Sequence, residues 1–185
     1  SFFHHNQNTG GFGYGVSIGA ATLERNVFDY NRHAITIGGA GYGYVASRNL
    51  VLKGGGYHGY GAYTHQFDVH GTERCIEGGA TCGTAAKALT FFENTFQYRH
   101  DHAIGIRGTP VHFARIDRNI FAHDEVRDPY LGEGAVKLYQ GDTRIQFGSG
   151  LDANIGGMDT FGKYGVCDFD GDGTDDLFLP TGVTW

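Results

Sequence analysis

Apolar residues alternate with polar or small residues in several short stretches of the chain. The alternating pairs are Val16 and Ile18, Ile35 and Ile37, Phe67 and Val69, Ile104 and Ile106, and Val111 and Phe113. A period of two predicts β-strands with one buried face. Residues 84–89 would make one helical turn at most, and no longer stretch combines a helical apolar period with a cap. The pattern predicts an all-β chain.

Asparagines that precede apolar residues recur along the chain. They are Asn6, Asn26, Asn49, Asn94 and Asn119, with spacings of 20, 23, 45 and 25 residues. The segment 26–35 also matches the segment 94–104 with one residue added. We interpret the long interval as one coil that carries an insertion near residues 72–88. The chain is therefore built from repeats.

A repeat of this length favours a solenoid. Short strands flanked by glycine and asparagine cannot bury their apolar faces alone, but coils stacked about 4.8 Å apart share one core. The asparagines fit turn positions, where a left-handed conformation is accessible, and stacked they form a ladder. A β-sandwich is the main alternative, but its hairpin turns recur at shorter spacings. We expect a right-handed parallel β-helix of about five coils over residues 1–150 and a short second segment over 151–185.

Composition restricts the partners and the compartment. The chain has 32 glycines, only three prolines and 14% aromatic residues, which is typical of a turn-rich folded protein. A net charge of −6 without a run of basic residues argues against nucleic acid and anionic membranes as partners. No apolar stretch is long enough to predict membrane insertion.

The cysteines indicate export. Cys75 and Cys82 lie in a loop rich in Gly, Thr and Glu, where an oxidising compartment favours a local disulfide. We therefore expect a secreted, extracellular protein. Cys167 is left as a buried free thiol or, less favoured, as the partner of a thiol outside this chain.

The motifs resemble a known family over roughly residues 2–125. Asn-x-Phe turns, Arg-His-Ala-Ile, Phe-Asp-Val-His-Gly and Ile-Arg-Gly are similar to those of right-handed parallel β-helix repeat proteins exported by bacteria. The resemblance implies the scaffold of pectate-type lyases, polygalacturonase-type hydrolases and related carbohydrate enzymes, although no complete catalytic signature of these classes is present. Because the chain begins in mid-repeat, we expect a piece of a longer protein, with the solenoid ends capped by another segment or chain or by self-association.

An aspartate-rich loop near the end of the sequence predicts a calcium site. Residues 168–176 carry carboxylates at relative positions 1, 3, 5 and 9, and Gly173 permits the sharp turn. Without the glutamate of an EF-hand, the loop resembles that of FG-GAP or VCBS-type repeats. This resemblance implies a structural calcium ion bound by Asp168, Asp170, Asp172, the carbonyl of Thr174 and Asp176. The alternative is a solvated acidic turn without an ion.

Alignment of the repeats predicts two polar columns on one face of the solenoid. One column contains His33, His65 and His102, and the other contains Gly38, His70 and Arg107. Asp68 shares a strand face with His70. The first functional hypothesis is therefore a lyase or hydrolase of an acidic polysaccharide. Arg107 would neutralise a uronate carboxylate, His70 or His102 would move the proton, and Asp68 would orient the imidazole, with His33 completing the strip.

Three alternatives stay open at this point. One is a metal-dependent phosphoester or glycosidic hydrolase built on His65, Asp68 and His70 with His33 or His102; Arg107 and the alternation of strand faces argue against it. Another is a non-catalytic, carbohydrate-binding or adhesive solenoid whose tyrosines stack on sugars. Its candidate tyrosines are Tyr14, Tyr42, Tyr44, Tyr57, Tyr60 and Tyr63. The third alternative is purely structural: the histidines only satisfy hydrogen bonds in stacked turns.

Overall fold

The structure of the chain is a computed structural model. It describes residues 1–17, 19–57, 64–74, 80–98 and 102–123, and beyond them five further strands between residues 136 and 178. The described residues form strands, turns and bends but no helix. Accordingly, this part of the chain offers no helix that is long and apolar enough to cross a bilayer.

Three parallel sheets form the body of the molecule. The first consists of β1 (Phe2–His4), β4 (Val27–Asp29), β7 (Leu50–Val51), β12 (Thr95–Tyr98), β15 (Ile120–His123) and β18 (Ala153–Asn154). The second consists of β2 (Tyr14–Ser17), β5 (His33–Gly38), β8 (Phe67–His70), β13 (Ile104–Ile106) and β16 (Val136–Leu138). The third consists of β3 (Ala20–Glu24), β6 (Gly43–Ser47), β11 (Ala88–Phe92), β14 (Phe113–Asp117) and β17 (Ile145–Phe147).

The chain visits the three sheets in a fixed order, so each coil adds one strand to each sheet. Neighbouring strands within these sheets pair in parallel, as β5 does with β8 and β8 with β13. This confirms the predicted parallel β-helix of about five coils.

The core fills the space between the sheets. The first sheet contributes a stack of Phe28, Val51, Phe96 and Phe121, in which the rings of Phe96 and Phe121 lie 5.3 Å apart. The second sheet buries the predicted alternating residues Ile35, Ile37, Phe67, Val69, Ile104 and Ile106. The third sheet buries Leu89, Phe91 and Ile116. Burial of this apolar surface holds the coils together.

One predicted pair of core residues faces solvent. Val111 and Phe113 are 38% and 39% exposed, whereas Ala114 and Ile116 are buried. The period of two is correct there but its phase is wrong, because the chain enters β14 one residue later than the apolar pattern indicates. Ile18, another predicted core residue, lies outside the described residues.

The predicted asparagine ladder is present at the corner between the third and the first sheet. The side-chain amide of Asn49 donates to Oδ1 of Asn94 at 2.9 Å, and that of Asn94 donates to Oδ1 of Asn119 at 3.0 Å. Asn26 donates in the same way to Asn49. Each amide therefore acts as donor to one coil and as acceptor from another, and the four side chains are buried.

Two details of the ladder differ from expectation. Asn6 is not part of it, since β1 pairs Phe2 with Val27 and so places Ser1 beside Asn26; Asn6 donates instead to Asn31 at 2.7 Å. The left-handed residues are not the asparagines but the residues before them, namely Arg25, Arg48, Glu93 and Arg118. These exposed side chains form ion pairs along the surface, such as Arg48 to Glu93 at 2.7 Å.

The long repeat interval contains two insertions rather than one. The antiparallel hairpin of β9 (Glu73–Arg74) and β10 (Ala80–Cys82) lies within the predicted insertion near 72–88. A second extension occupies residues 52–66, where the previous coil uses only 30–32 to pass from the first sheet to the second. Cys75 lies outside the described residues, so the Cys75–Cys82 disulfide stays a prediction.

The C-terminal segment contains one more antiparallel pair, β19 (Gly165–Cys167) and β20 (Asp176–Phe178). Residues 168–175 of the predicted calcium loop lie outside the described residues. So does the side chain of Cys167, and its state as a thiol stays a prediction.

Candidate active site

The predicted polar columns lie on the second sheet in the expected register. Gly38 pairs with His70, and Thr36 pairs with Asp68, which in turn pairs with Gly105. β13 and β8 pair Ile106 with Val69, so the next residues in the same register, Arg107 and His70, lie side by side. The rings of His33 and His65 stack with their centres 5.3 Å apart, and His102 is buried one coil further along.

The carboxylate of Asp68 is the centre of a cluster of polar side chains. Nε2 of His65 lies 2.5 Å from Oδ1, and Nε2 of His33 lies 3.2 Å from Oδ2. Nε2 of His70 contacts Oδ2. Arg107 donates from Nε to Oδ1 at 3.0 Å and from Nη2 to Oδ2 at 3.1 Å. Four cationic or potentially cationic groups therefore surround one carboxylate, a set that we call the Asp68 cluster.

A bend in the chain brings His65 into the Asp68 cluster. Strict strand alternation would turn His65 away from Asp68, but the backbone bends at Gln66, just before β8. The His65 ring then lies over Gly105, where an added Cβ would sit 2.8 Å from the ring carbon Cγ. Alternation turns His65 away from Asp68 unless a corner intervenes, and the bend at Gln66 is such a corner. Gly105, paired with Asp68 in the next coil, leaves room for the ring.

Electrostatics fix the protonation of two buried groups. Desolvation lowers the pKa of His33 to about 3, so its imidazole is neutral at neutral pH. Burial alone would raise the pKa of Asp68, but attraction to His65 and hydrogen bonds from His65 and His70 hold it well below its usual value. Asp68 is thus a carboxylate, and Arg107 is its permanent counter-charge.

The members of the Asp68 cluster differ in their access to solvent. The side chains of His33 and Asp68 are fully buried, and those of His65 and Arg107 are 3% and 14% exposed. The side chain of His70 is 33% exposed. Among the predicted catalytic histidines, His33 and His102 are buried, and His70 faces solvent.

Three members of the cluster have the composition of a metal site. One ligand atom each from His33, His65 and Asp68 lies within 4.8 Å of the other two. The spacing His65-x-x-Asp68 and the stacked histidine column were both visible in the sequence. The metal-dependent alternative already combined His65 and Asp68 with His33, and the bend at Gln66 is what brings their ligand atoms together.

A groove lies beside the first sheet, lined by residues of β4, of β12 and of the first part of the extension. It has a volume of about 390 Å³, in the range of small-ligand pockets. Its lining combines two tyrosines with polar and charged side chains, namely Gln7, Asp29, Tyr30, Lys53, Tyr57 and Gln97. Residues 52–57 of the extension line the groove, and His65 near its end belongs to the Asp68 cluster.

The predicted sugar-stacking tyrosines are not equivalent. Tyr44 is buried, its hydroxyl donates to the carbonyl of Thr36 at 3.1 Å, and desolvation raises its pKa to about 12. It is a core residue, and the expectation of a sugar contact there was wrong. Tyr14 stacks on His33, and Tyr42 is 42% exposed. Tyr60 and Tyr63 lie outside the described residues.

Comparisons with protein-family models, with curated protein sequences and with solved structures found no match to this chain. Function therefore has to be inferred from the geometry of the site.

Proposed function

We propose that the chain is an enzyme that acts on an acidic polysaccharide, with His70 as the group that moves the proton. The observation that carries the proposal is the contact between the buried carboxylate of Asp68 and the half-exposed imidazole of His70. A carboxylate that fixes the orientation of a solvent-facing histidine is a typical arrangement for general acid–base catalysis.

Arg107 has a different role in this proposal from the one its residue type suggested. Two of its nitrogens donate to Asp68, so its main effect is to hold that carboxylate in place. In the groove beside the first sheet, Lys53 would pair with the carboxylate of another uronate of the same chain, while Tyr30 and Tyr57 offer aromatic faces for sugar rings. This division of roles favours an anionic carbohydrate as the substrate class.

The reaction that fits these groups best is β-elimination. His70 would take the proton on the carbon next to the uronate carboxylate. The bond between C4 and the glycosidic oxygen would then break, and the departing oxygen would take up a proton. The products are an unsaturated uronate and a new chain end. Hydrolysis by the same acid–base pair is the other outcome of the test below.

The test is a screen of the purified protein against polyuronates, with product followed by ultraviolet absorbance and by reducing ends. We expect His70→Ala to lower turnover by about 10²-fold or more. Exogenous imidazole should restore part of it, because this side chain is open to solvent. The matched control is His112→Ala, which changes an exposed histidine of the next coil. Retention of polysaccharide without any product would favour an adhesive solenoid and overturn the proposal.

We also propose that the protein is exported and that its C-terminal segment binds a structural calcium ion. The support is the oxygen-rich spacing of residues 168–176 and the antiparallel pairing of Cys167 with Asp176, which brings the two ends of that loop together. Calcium should raise the melting temperature of wild-type protein but not that of the Asp170→Asn, Asp172→Asn double variant. An equal rise in both would assign the effect to another site.

A further inference from the structure

One contact in the Asp68 cluster brings two acceptors face to face. Nδ1 of His33 lies 2.6 Å from the carbonyl oxygen of His65, which can only accept, so Nδ1 carries the proton. The ring is fully buried, which favours the neutral imidazole, and a neutral imidazole has a single N–H. Nε2 of His33 therefore presents a lone pair to Oδ2 of Asp68, 3.2 Å away. Two buried lone pairs at this distance repel each other unless a cation lies between them.

His65 meets a related conflict. Its Nε2 lies 3.0 Å from Nη2 of Arg107, which can only donate, and 2.5 Å from Oδ1 of Asp68, which as a carboxylate can only accept. A proton on Nε2 would be donated to Oδ1 and would leave Arg107 facing a second donor at this nitrogen. A metal ion bound by Nε2 and Asp68 would take the place of that proton.

The separation of His33 and Asp68 suits a small metal ion, whereas the 2.5 Å between His65 and Asp68 is a hydrogen-bond distance that must lengthen when an ion binds. Histidine nitrogens and carboxylate oxygens bind zinc at about 2.0–2.2 Å, so two ligands of a tetrahedral ion lie about 3.4 Å apart. The 3.2 Å between His33 and Asp68 is close to this separation. The hydrogen bond from Nδ1 of His33 to a backbone carbonyl is also the arrangement that usually fixes the tautomer of a metal-binding histidine.

We propose that Nε2 of His33, Nε2 of His65 and the carboxylate of Asp68 bind one divalent transition-metal ion, with zinc as the ion that best suits two imidazoles and a carboxylate. The inference holds whether or not the chain turns over a polysaccharide. Arg107 and His70 would hydrogen-bond to the lone pairs of the Asp68 carboxylate that do not bind the ion. These hydrogen bonds would keep Asp68 oriented. The ion would also make the cluster net positive, which favours an anionic ligand beside His70.

The experiment uses the full chain, stripped with a chelator and then kept in excess calcium so that oxygen-rich sites are filled. Cobalt is titrated in and the visible absorption is recorded, because tetrahedral cobalt bound to imidazole absorbs strongly; zinc is then added to displace it. We expect one equivalent of tetrahedral cobalt in the wild-type protein. The signal should be lost in His33→Gln and in His65→Gln and retained in His112→Gln, the exposed control.

Two further variants keep the test decisive if a ligand variant fails to fold. Gly105→Ala removes no ligand, but its Cβ would displace the His65 ring, so affinity should fall by about tenfold or more. The control is Gly41→Ala, where an added Cβ meets nothing within 4 Å. His70→Ala should keep the tetrahedral cobalt signal, at an affinity lowered by about tenfold through the loss of a contact to Asp68, while losing turnover, which separates this inference from the proposed function. Absence of the tetrahedral signal in the wild type, or its persistence in both ligand variants, would overturn the metal site.

Discussion

The asparagine ladder and the Asp68 cluster are both buried columns of polar side chains, but their buried polar atoms find partners in different ways. In the ladder each amide has a donor and an acceptor, so every coil repeats the same hydrogen bonds. In the cluster a neutral imidazole and a carboxylate meet through their lone pairs. A column that is satisfied by repetition is a structural device, whereas a column that needs a proton or a metal ion to be satisfied is a candidate site.

The largest effect on stability is expected from breaking the ladder. Asn94→Ala would leave the backbone N–H of Asn49 and the carbonyl of Ala46 without the partners that Asn94 provides. Unsatisfied buried groups cost about 1–3 kcal/mol each, so the free energy of unfolding should fall by about 3 kcal/mol.

Urea denaturation measures this effect, with Asn8→Ala as the control. Asn8 is exposed, and its side chain accepts one local hydrogen bond, from the backbone of Gly10. A loss of similar size in both variants would mean that the ladder contributes no more than an ordinary surface asparagine.

A second effect, absent at neutral pH and growing as pH falls, should distinguish the cluster from the ladder. The pKa of His33 is about 3 in the folded protein against an ordinary value of 6.5, so the unfolded chain takes up the proton first as pH falls. In chelator-treated protein the stability contributed by neutral His33 should be complete above pH 6.5. It should decline towards pH 3 by at most about 1.4 kcal/mol for each pH unit. Asp68, whose pKa is also lowered, adds to this loss only at the acid end of the range.

The measurement is urea denaturation at a series of pH values. We expect His33→Gln to have a shallower slope than the wild type between pH 6.5 and 3, because glutamine does not titrate. Asn94→Ala should shift stability by the same amount at every pH. Equal slopes in His33→Gln and the wild type would show that His33 is not held neutral in the fold.

Much of this architecture was predictable because it follows from local periodicity. The alternation around Phe67 and Ile104 fixed the inward face, and the equivalent spacing in successive coils placed His70 beside Arg107. The same periodicity could not locate the corners. A bend at Gln66 reverses the facing of His65, and a pattern of apolar residues carries no information on where such a bend falls.

The asparagines illustrate a second limit. Their recurrence correctly predicted the ladder, but Asn6 shares the residue type without sharing the position. The left-handed conformation falls on charged residues such as Arg48 and Glu93, which have no strong intrinsic preference for it. There the stacking of coils imposes the backbone conformation, so tertiary structure overrides local propensity.

The parallel register of the second sheet has a consequence for how such a site arises in evolution. Thr36, Asp68 and Gly105 are equivalent positions on adjacent coils, and each follows a histidine of the same column by three residues. The scaffold therefore repeats one spacing of positions, and the single carboxylate marks which repeat forms the cluster. Moving the cluster by one coil would require an acidic residue, its arginine partner and the bend that turns the histidine inward, but not a new fold.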